Sequence, residues 1–162
     1  MCTSASRPCS VVLTLGRNAD LQSLEAHVVY LARAGVCPLL AGTMGEGLHL
    51  AHGERTRIIH AARNALDAAG FEGFPIIVGA GGGSTRETVV LCEEVAAAGA
   101  DAAIVITPGY FSGILANHRQ ALKEYFVEVA RKSPVPVLVY NCACLFCLPR
   151  RIHSLIHVSQ RT

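Results

Sequence analysis

The chain has 162 residues, 51% hydrophobic and 16% charged, a composition that suits one ordinary domain with a buried core and excludes a disordered chain. The formal net charge is +2, and the twelve arginines and two lysines are scattered, so no basic stripe exists for nucleic acid. No apolar run approaches the roughly 20 residues needed to span a bilayer, so no membrane partner is expected.

Short apolar runs alternate with segments patterned at three and four, which is the order of an α/β chain with a parallel sheet. The runs are Val11–Leu15, Leu39–Ala41, Pro75–Val78, Ala102–Ile106 and Val135–Tyr140. Between them the first helix shows Leu21, Leu24, Val28 and Leu31 on one face, behind Asp20 as N-cap and ahead of Gly35 as terminator. The second runs from about Gly53 to Ala69 with Ile58, Ile59, Ala62, Leu66 and Ala69 inward, and Gly70 stops it. The third opens on Ser84 and Glu87 at capping-box spacing and lines up Thr88, Leu91 and Val95 as far as Gly99. The fourth, near Asn117 to Arg131, presents Leu122, Phe126 and Val129. Strand-to-strand spacings of roughly 25 to 40 residues fit βα units of either the barrel or the doubly wound kind. Pro38 is tolerable only at the start of the second strand.

After Asn141 the pattern changes. Residues 142–162 carry Cys142, Cys144 and Cys147 within six positions and show neither strand alternation nor a helix entry before Ile152. The expected division is therefore 1–141 as the N-terminal part of an α/β domain and 142–162 as an atypical tail. The tail reads as out of register with the preceding sequence, as a retained intron or a frameshift would make it; an uninterrupted reading frame in the transcript across Asn141 would remove that explanation. The seven cysteines are odd in number and irregularly spaced, with no secretory leader pattern before them, which favours a reduced compartment. Cytoplasm is the expectation, with mitochondria as the alternative because the first ten residues are acid-poor and carry Ser, Thr and Arg7.

In parallel α/β folds the C-terminal ends of the strands converge on one mouth. Gly42-Thr43-Met44-Gly45-Glu46 follows the second strand. Its two glycines let backbone N–H groups approach a carboxylate, and the Thr43 hydroxyl can donate and accept a proton. Tyr140 ends the fifth strand, and Tyr110 follows the fourth in Thr107-Pro108-Gly109-Tyr110. A phenol is a poor acid or base near neutral pH unless coupled to another hydroxyl, so a Tyr–Thr–Tyr relay is a workable proton path. Taken singly, each residue also fits a plain reading: a strand-ending turn for the glycines, and amphipathic rim residues for the tyrosines.

Together, Gly42–Glu46, Thr107–Tyr110 and Val139-Tyr140-Asn141 resemble, in order, three motifs of the dihydrodipicolinate synthase/N-acetylneuraminate lyase group of Schiff-base aldolases. The similarity runs from about Leu24 to Asn141. Gly99–Ala103 and Ser133–Val137 look most like the 4-hydroxy-2-oxoglutarate aldolase branch, and Met44 replaces a hydroxyl residue common in dihydrodipicolinate synthases. The resemblance implies a (β/α)8 TIM barrel, here about its first five units, and a lyase that condenses a buried lysine with pyruvate or another 2-oxo acid without a cofactor. It implies that Thr43, Met44 and Gly45 bind the substrate carboxylate, that Tyr140 is the general acid/base, and that Tyr110 completes the relay across the subunit interface of a homo-oligomer. The family's lysine lies one further strand–helix unit on, and Lys123 and Lys132 belong to the fourth helix and its end. The expectation is an aldolase fragment inactive by itself; the alternative is a catalytically dead fragment that acts only by interaction or by poisoning subunits.

Two further signals carry less. Gly79–Ser84 precedes a helix start as phosphate loops do, but it matches neither a Walker loop nor GxGxxG, and it reads as a barrel loop with glycines for close packing. Cys144, Cys147, His153 and His157 are zinc-type ligands, but the five residues between the pairs fall far short of a finger loop of about 12 to 15, so no metal is expected. His49, His52 and His60 lack carboxylates at metal-motif spacing and read as solvated or satisfied.

Overall fold

The computed structural model describes residues 7–8, 20–110 and 118–140. The run Val11–Leu15 and the whole tail, with its cysteines and histidines, lie outside the described residues. The elements are β1 (Arg7–Pro8), α1 (Leu21–Arg33), β2 (Pro38–Leu40), α2 (His52–Ala68), β3 (Ile77–Gly79), α3 (Thr85–Ala97), β4 (Ala102–Ile106), α4 (Arg119–Lys132) and β5 (Val137–Tyr140), with a 3₁₀ turn at Gly47–His49.

All neighbouring strands pair in parallel, and their order in the sheet is the order in the chain, β1-β2-β3-β4-β5. A doubly wound sheet must reverse its strand order at a switch point, and no reversal occurs among the described strands. The helices accordingly pack in sequence, α1 on α2, α2 on α3 and α3 on α4, along one side of the sheet. This is the wall of a (β/α)8 barrel, of which the chain forms the N-terminal part.

Register separates the two faces of the sheet. Leu40, Val78, Ala103 and Val137 lie opposite one another on successive strands and are buried beneath the helices. Each large side chain buried in this way contributes about 2 kcal/mol. The other face carries Leu39, Ile77, Ala102, Ile104 and Leu138, and Ile106 beside Tyr140; it is only partly covered among the described residues.

The helix ends follow the sequence signals. Asp20 accepts from the Ser23 N–H at 3.1 Å and from its hydroxyl at 2.7 Å, and these bonds hold its carboxyl below the usual carboxylate range. Helices α1, α2 and α3 end in the same double bond: Gly35, Gly70 and Gly99 donate to the third residue back, and the apolar residue after each glycine donates to the fifth residue back. All three glycines have positive φ, between +69° and +101°, where a Cβ would be strained. Helix α2 lacks a capping side chain at Ala51, but the Glu54 carboxylate accepts the Ala51 N–H at 2.9 Å.

Several details differ from expectation, among them the third strand, which runs Ile77–Gly79 rather than Pro75–Val78. A strand not expected from the sequence is described at Arg7–Pro8, paired with Pro38 and Leu39 of β2; proline is tolerated there because the strand is two residues long and at the edge of the described sheet. Strand β2 begins on Pro38 and ends before Ala41, whose φ of 49° takes it out of extended geometry. Strand β5 begins at Val137 because Ser133 closes a turn, its hydroxyl donating to the Val135 carbonyl at 2.7 Å. Ala69 is exposed rather than inward because it caps α2.

At the strand entrances Arg63 of α2 donates to the carbonyls of Phe74 and Gly99, each at 2.8 Å, and to the Asp101 carboxylate at 2.6 Å. That same Asp101 oxygen accepts the Ile76 N–H at 2.7 Å. This clamp holds the starts of β3 and β4 to α2, at the end of the barrel associated with stability rather than chemistry.

Candidate functional site

The exits of β2, β3, β4 and β5 enclose a cavity of about 50 Å³. Gly42, Thr43 and Gly47 of the β2–α2 connection form one side, Gly79 and Gly81 the floor beside them, and Ile104, Ile106 and Tyr140 the other side. Thr43 and Tyr140, far apart in the sequence, therefore share one pocket. Tyr140 reaches it because β5 pairs with β4 in a register that sets it opposite Ile106.

The other expected site residues lie elsewhere. Met44 is exposed and Gly45 buried, and neither lines the cavity. Tyr110 is 87% exposed and does not line the pocket of its own chain. Thr107, directly after β4, is buried, and its hydroxyl has no hydrogen-bond partner among the described residues.

The loop that carries Thr43 is compressed. Ala41 and Glu46 are the two non-glycine residues with positive φ among the described residues, and they bracket Gly42–Gly45. Each such residue costs about 1 kcal/mol relative to ordinary backbone, a strain found where a loop is held in a functional shape. The Gly47 N–H closes the turn on the Gly42 carbonyl at 3.0 Å, and Glu46 donates to the Thr43 carbonyl at 3.2 Å. A Cβ on either Gly47 or Gly79 would overlap the Ala41 carbonyl oxygen, so the exits of β2 and β3 touch backbone to backbone. In the Gly79–Ser84 segment, Gly81 packs on Ile106 and Gly82 on Glu87, which is the close-packing role its glycines suggest.

Sequence reasoning missed Arg55. The residue is 5% exposed, and its guanidinium donates to the Gly79 carbonyl at 2.9 Å and the Gly47 carbonyl at 2.6 Å, beneath the cavity it helps to line. Burial pulls its pKa down, with Glu94 and Glu87 opposing. Its Nε–H is buried without a partner among the described residues. The available signal was phase: Arg55 stands on the same helical stripe as Ile58, Ile59, Ala62 and Leu66, where an unpaired charge has no place.

His52 also has partners too distant in sequence to foresee. Its Nδ1 lies 2.7 Å from Glu94 and its Nε2 3.0 Å from Glu87, both on α3. Glu87 thus serves the histidine, while Ser84 still accepts the Glu87 N–H at 3.2 Å. Both ring nitrogens can donate only in the imidazolium, so the Glu94 hydrogen bond and charge, followed by those of Glu87, raise the His52 pKa above 6.5. A raised folded-state pKa adds stability that is fully present below the unfolded value and is lost as pH rises through the folded one. Between about pH 6 and pH 8.5 the melting temperature should therefore fall further for the natural chain than for His52→Gln, by a small margin because the group is exposed. Identical pH profiles would show that the clasp contributes nothing. No cluster of three His, Cys, Asp or Glu side chains among the described residues is arranged to hold a metal ion, and no described helix is long and apolar enough to cross a membrane.

Comparison with known proteins agrees with this geometry. The Dihydrodipicolinate synthetase family profile matches residues 11–158. A "probable 4-hydroxy-2-oxoglutarate aldolase, mitochondrial" of Emericella nidulans is 43% identical over 125 residues, covering 76% of this chain and 40% of that protein. An "L-threo-3-deoxy-hexylosonate aldolase" of Hypocrea jecorina is 41% identical over 123 residues, covering 75% of this chain and 38% of that one. The crystal structure of YagE from Escherichia coli, a protein of the dihydrodipicolinic acid synthase family in complex with pyruvate, superposes with a TM-score of 0.77 at 31% identity, over 90% of this chain and 46% of YagE. The chain spans about two-fifths of the length of these curated relatives. With the family profile covering most of its length and the barrel wall superposing on a solved member, the chain belongs to the dihydrodipicolinate synthetase family.

Proposed function

We propose that the cavity at the exits of β2 and β5 is the substrate-holding and proton-moving part of a class I aldolase or lyase site for pyruvate or a related 2-oxo acid. The observation that carries this reading is that Thr43 and Tyr140 line one pocket. In such a reaction a lysine amine adds to the ketone and water leaves, and the resulting imine accepts the electron pair of the C–C bond that breaks. The Thr43 hydroxyl holds the carboxylate, while Met44 and Gly45, expected to share that task, stand next to Thr43 and outside the cavity lining. Tyr140 moves the proton, and Tyr110 couples to it from a neighbouring subunit. The high exposure of Tyr110, Met44 and Leu48 supports a homo-oligomer in which that surface is covered. YagE bound to pyruvate supports the substrate class, and the names of the two fungal relatives favour hydroxylated 2-oxo acids of the 4-hydroxy-2-oxoglutarate type. One of those names also favours the mitochondrial alternative over the cytoplasm.

None of the residues that line the cavity supplies an amine. The chain's two lysines are both on α4, exposed, and Lys132 pairs with Glu128 at 2.8 Å. Neither lines the cavity. The 162 residues alone therefore recognise the acid without capturing its carbonyl, which also leaves open a role confined to interaction with complete subunits. Pyruvate titrated into the labelled chain should shift the amide resonances of Gly42, Thr43 and Tyr140, and Thr43→Val should weaken binding about tenfold through loss of a charge-assisted hydrogen bond. Shifts confined to other surfaces, or an unchanged affinity in Thr43→Val, would contradict the reading.

A further inference from the structure

We infer that Arg55 is the positioning residue of this pocket: it staples the Thr43 loop to the exit of β3 through the Gly47 and Gly79 carbonyls. Three independent observations support it. First, the position is unfavourable for a cation within its own helix. It is the fourth residue of α2, near the positive end of the helix dipole, and it faces the buried stripe of that helix. A side chain kept there is explained by what it holds rather than by the helix it belongs to.

Second, its two acceptors belong to the two backbone segments that must stay in register for the cavity to exist. The Gly47 carbonyl ends the compressed loop and the Gly79 carbonyl ends β3, and both glycines press on the Ala41 carbonyl oxygen. Three backbone segments meet there with no side chain between them. A planar guanidinium can serve two diverging carbonyls at once, whereas an ammonium is a single point charge. Third, the loop under the staple is the strained one, bracketed by Ala41 and Glu46 at φ 49° and 53°. Strained backbone persists only where its surroundings hold it, and Arg55 makes the side-chain bonds that do so. Arg63 makes a comparable fork at the opposite end of the barrel, where it acts on strand entrances and not on the pocket.

The substrate side of this inference rests on the reading of the pocket as a 2-oxo acid site, but the positioning itself does not. The experiment is residue-resolved hydrogen exchange on the full chain and on Arg55→Lys, which keeps the charge and loses the fork, with pyruvate titration of both. Exchange of the Gly42–Gly47 amides should accelerate about tenfold in Arg55→Lys while the α3 core amides Leu91–Val95 stay within about twofold. Pyruvate affinity should fall along with loop protection. Arg55→Met, lacking both charge and fork, should show the same local pattern. Loop exchange unchanged in Arg55→Lys, or accelerated equally throughout the chain, would overturn the assignment. If the loop responds as expected while pyruvate binds neither protein, the positioning role stands and the substrate reading fails.

Discussion

Gly79→Ala is expected to destabilise the chain by about 3 kcal/mol, the upper range for forcing an extra methyl into closed packing. The added Cβ would overlap the Ala41 carbonyl oxygen, which is backbone and cannot rotate aside as the end of a side chain can. Relief requires separating β2 from β3, and that in turn pulls the Gly79 carbonyl from Arg55. The damage therefore spreads from one methyl group to the staple and the Thr43 loop. Gly53→Ala is the control, since a Cβ there meets nothing within 4 Å and the site is in the first turn of α2, so the change should be neutral or stabilise by up to about 0.5 kcal/mol. Urea unfolding of both variants checks the pair. A loss under about 1 kcal/mol in Gly79→Ala would mean that the two exits can part at little cost.

Thr88→Val is expected to cost about 2 to 3 kcal/mol, against about 1 kcal/mol for Tyr125→Phe. The Thr88 hydroxyl is fully buried and donates to the Ser84 carbonyl at 2.9 Å, which leaves it to accept from the Gly82 N–H at 3.1 Å and the Tyr125 hydroxyl at 2.8 Å. Its one donor and two acceptor positions are all used. Burial pushes the Tyr125 phenol up, so it stays protonated as the donor this arrangement needs. Valine keeps the volume and strands the Gly82 N–H and the Tyr125 hydroxyl together, while phenylalanine at 125 removes one donor and leaves the rest of the hub intact. The hub also joins α3 and α4 to the glycine segment after β3, whose Gly81 lines the cavity. Equal losses in the two variants would show that only the Tyr125 contact matters.

How legible the molecule was depended on the range of the interaction concerned. Asp20, Ser84 and the three terminating glycines mark helix ends because caps act within one turn, and β4 shows itself as a run of five apolar residues without proline or glycine. Barrel order followed only in part, since spacing allowed two windings and only strand pairing separates them. Arg7–Pro8 could not be read as a strand: neither residue favours extended pairing, and its position is set by β2, some thirty residues later. The turn at Ala41 was equally hidden, because alanine carries no signal for positive φ and is held there by Gly47 and Gly79. Thr43 and Tyr140 were readable as strand-end residues, and their sharing of a cavity depends on register. Glu87 and Glu94 lie 35 and 42 residues from His52 and Gly79 lies 24 from Arg55, beyond any local pattern; Gly47, the other partner of Arg55, is eight residues away across the turn that follows β2.

On the function proposed above, the described residues hold a 2-oxo acid and line its pocket with no lysine. Borohydride reduction of the purified chain in the presence of pyruvate, followed by intact-mass and peptide analysis, tests it most directly. No reduced pyruvate adduct is expected on Lys123 or Lys132 under conditions where a complete family member is labelled fully. A stoichiometric adduct on either lysine would contradict it.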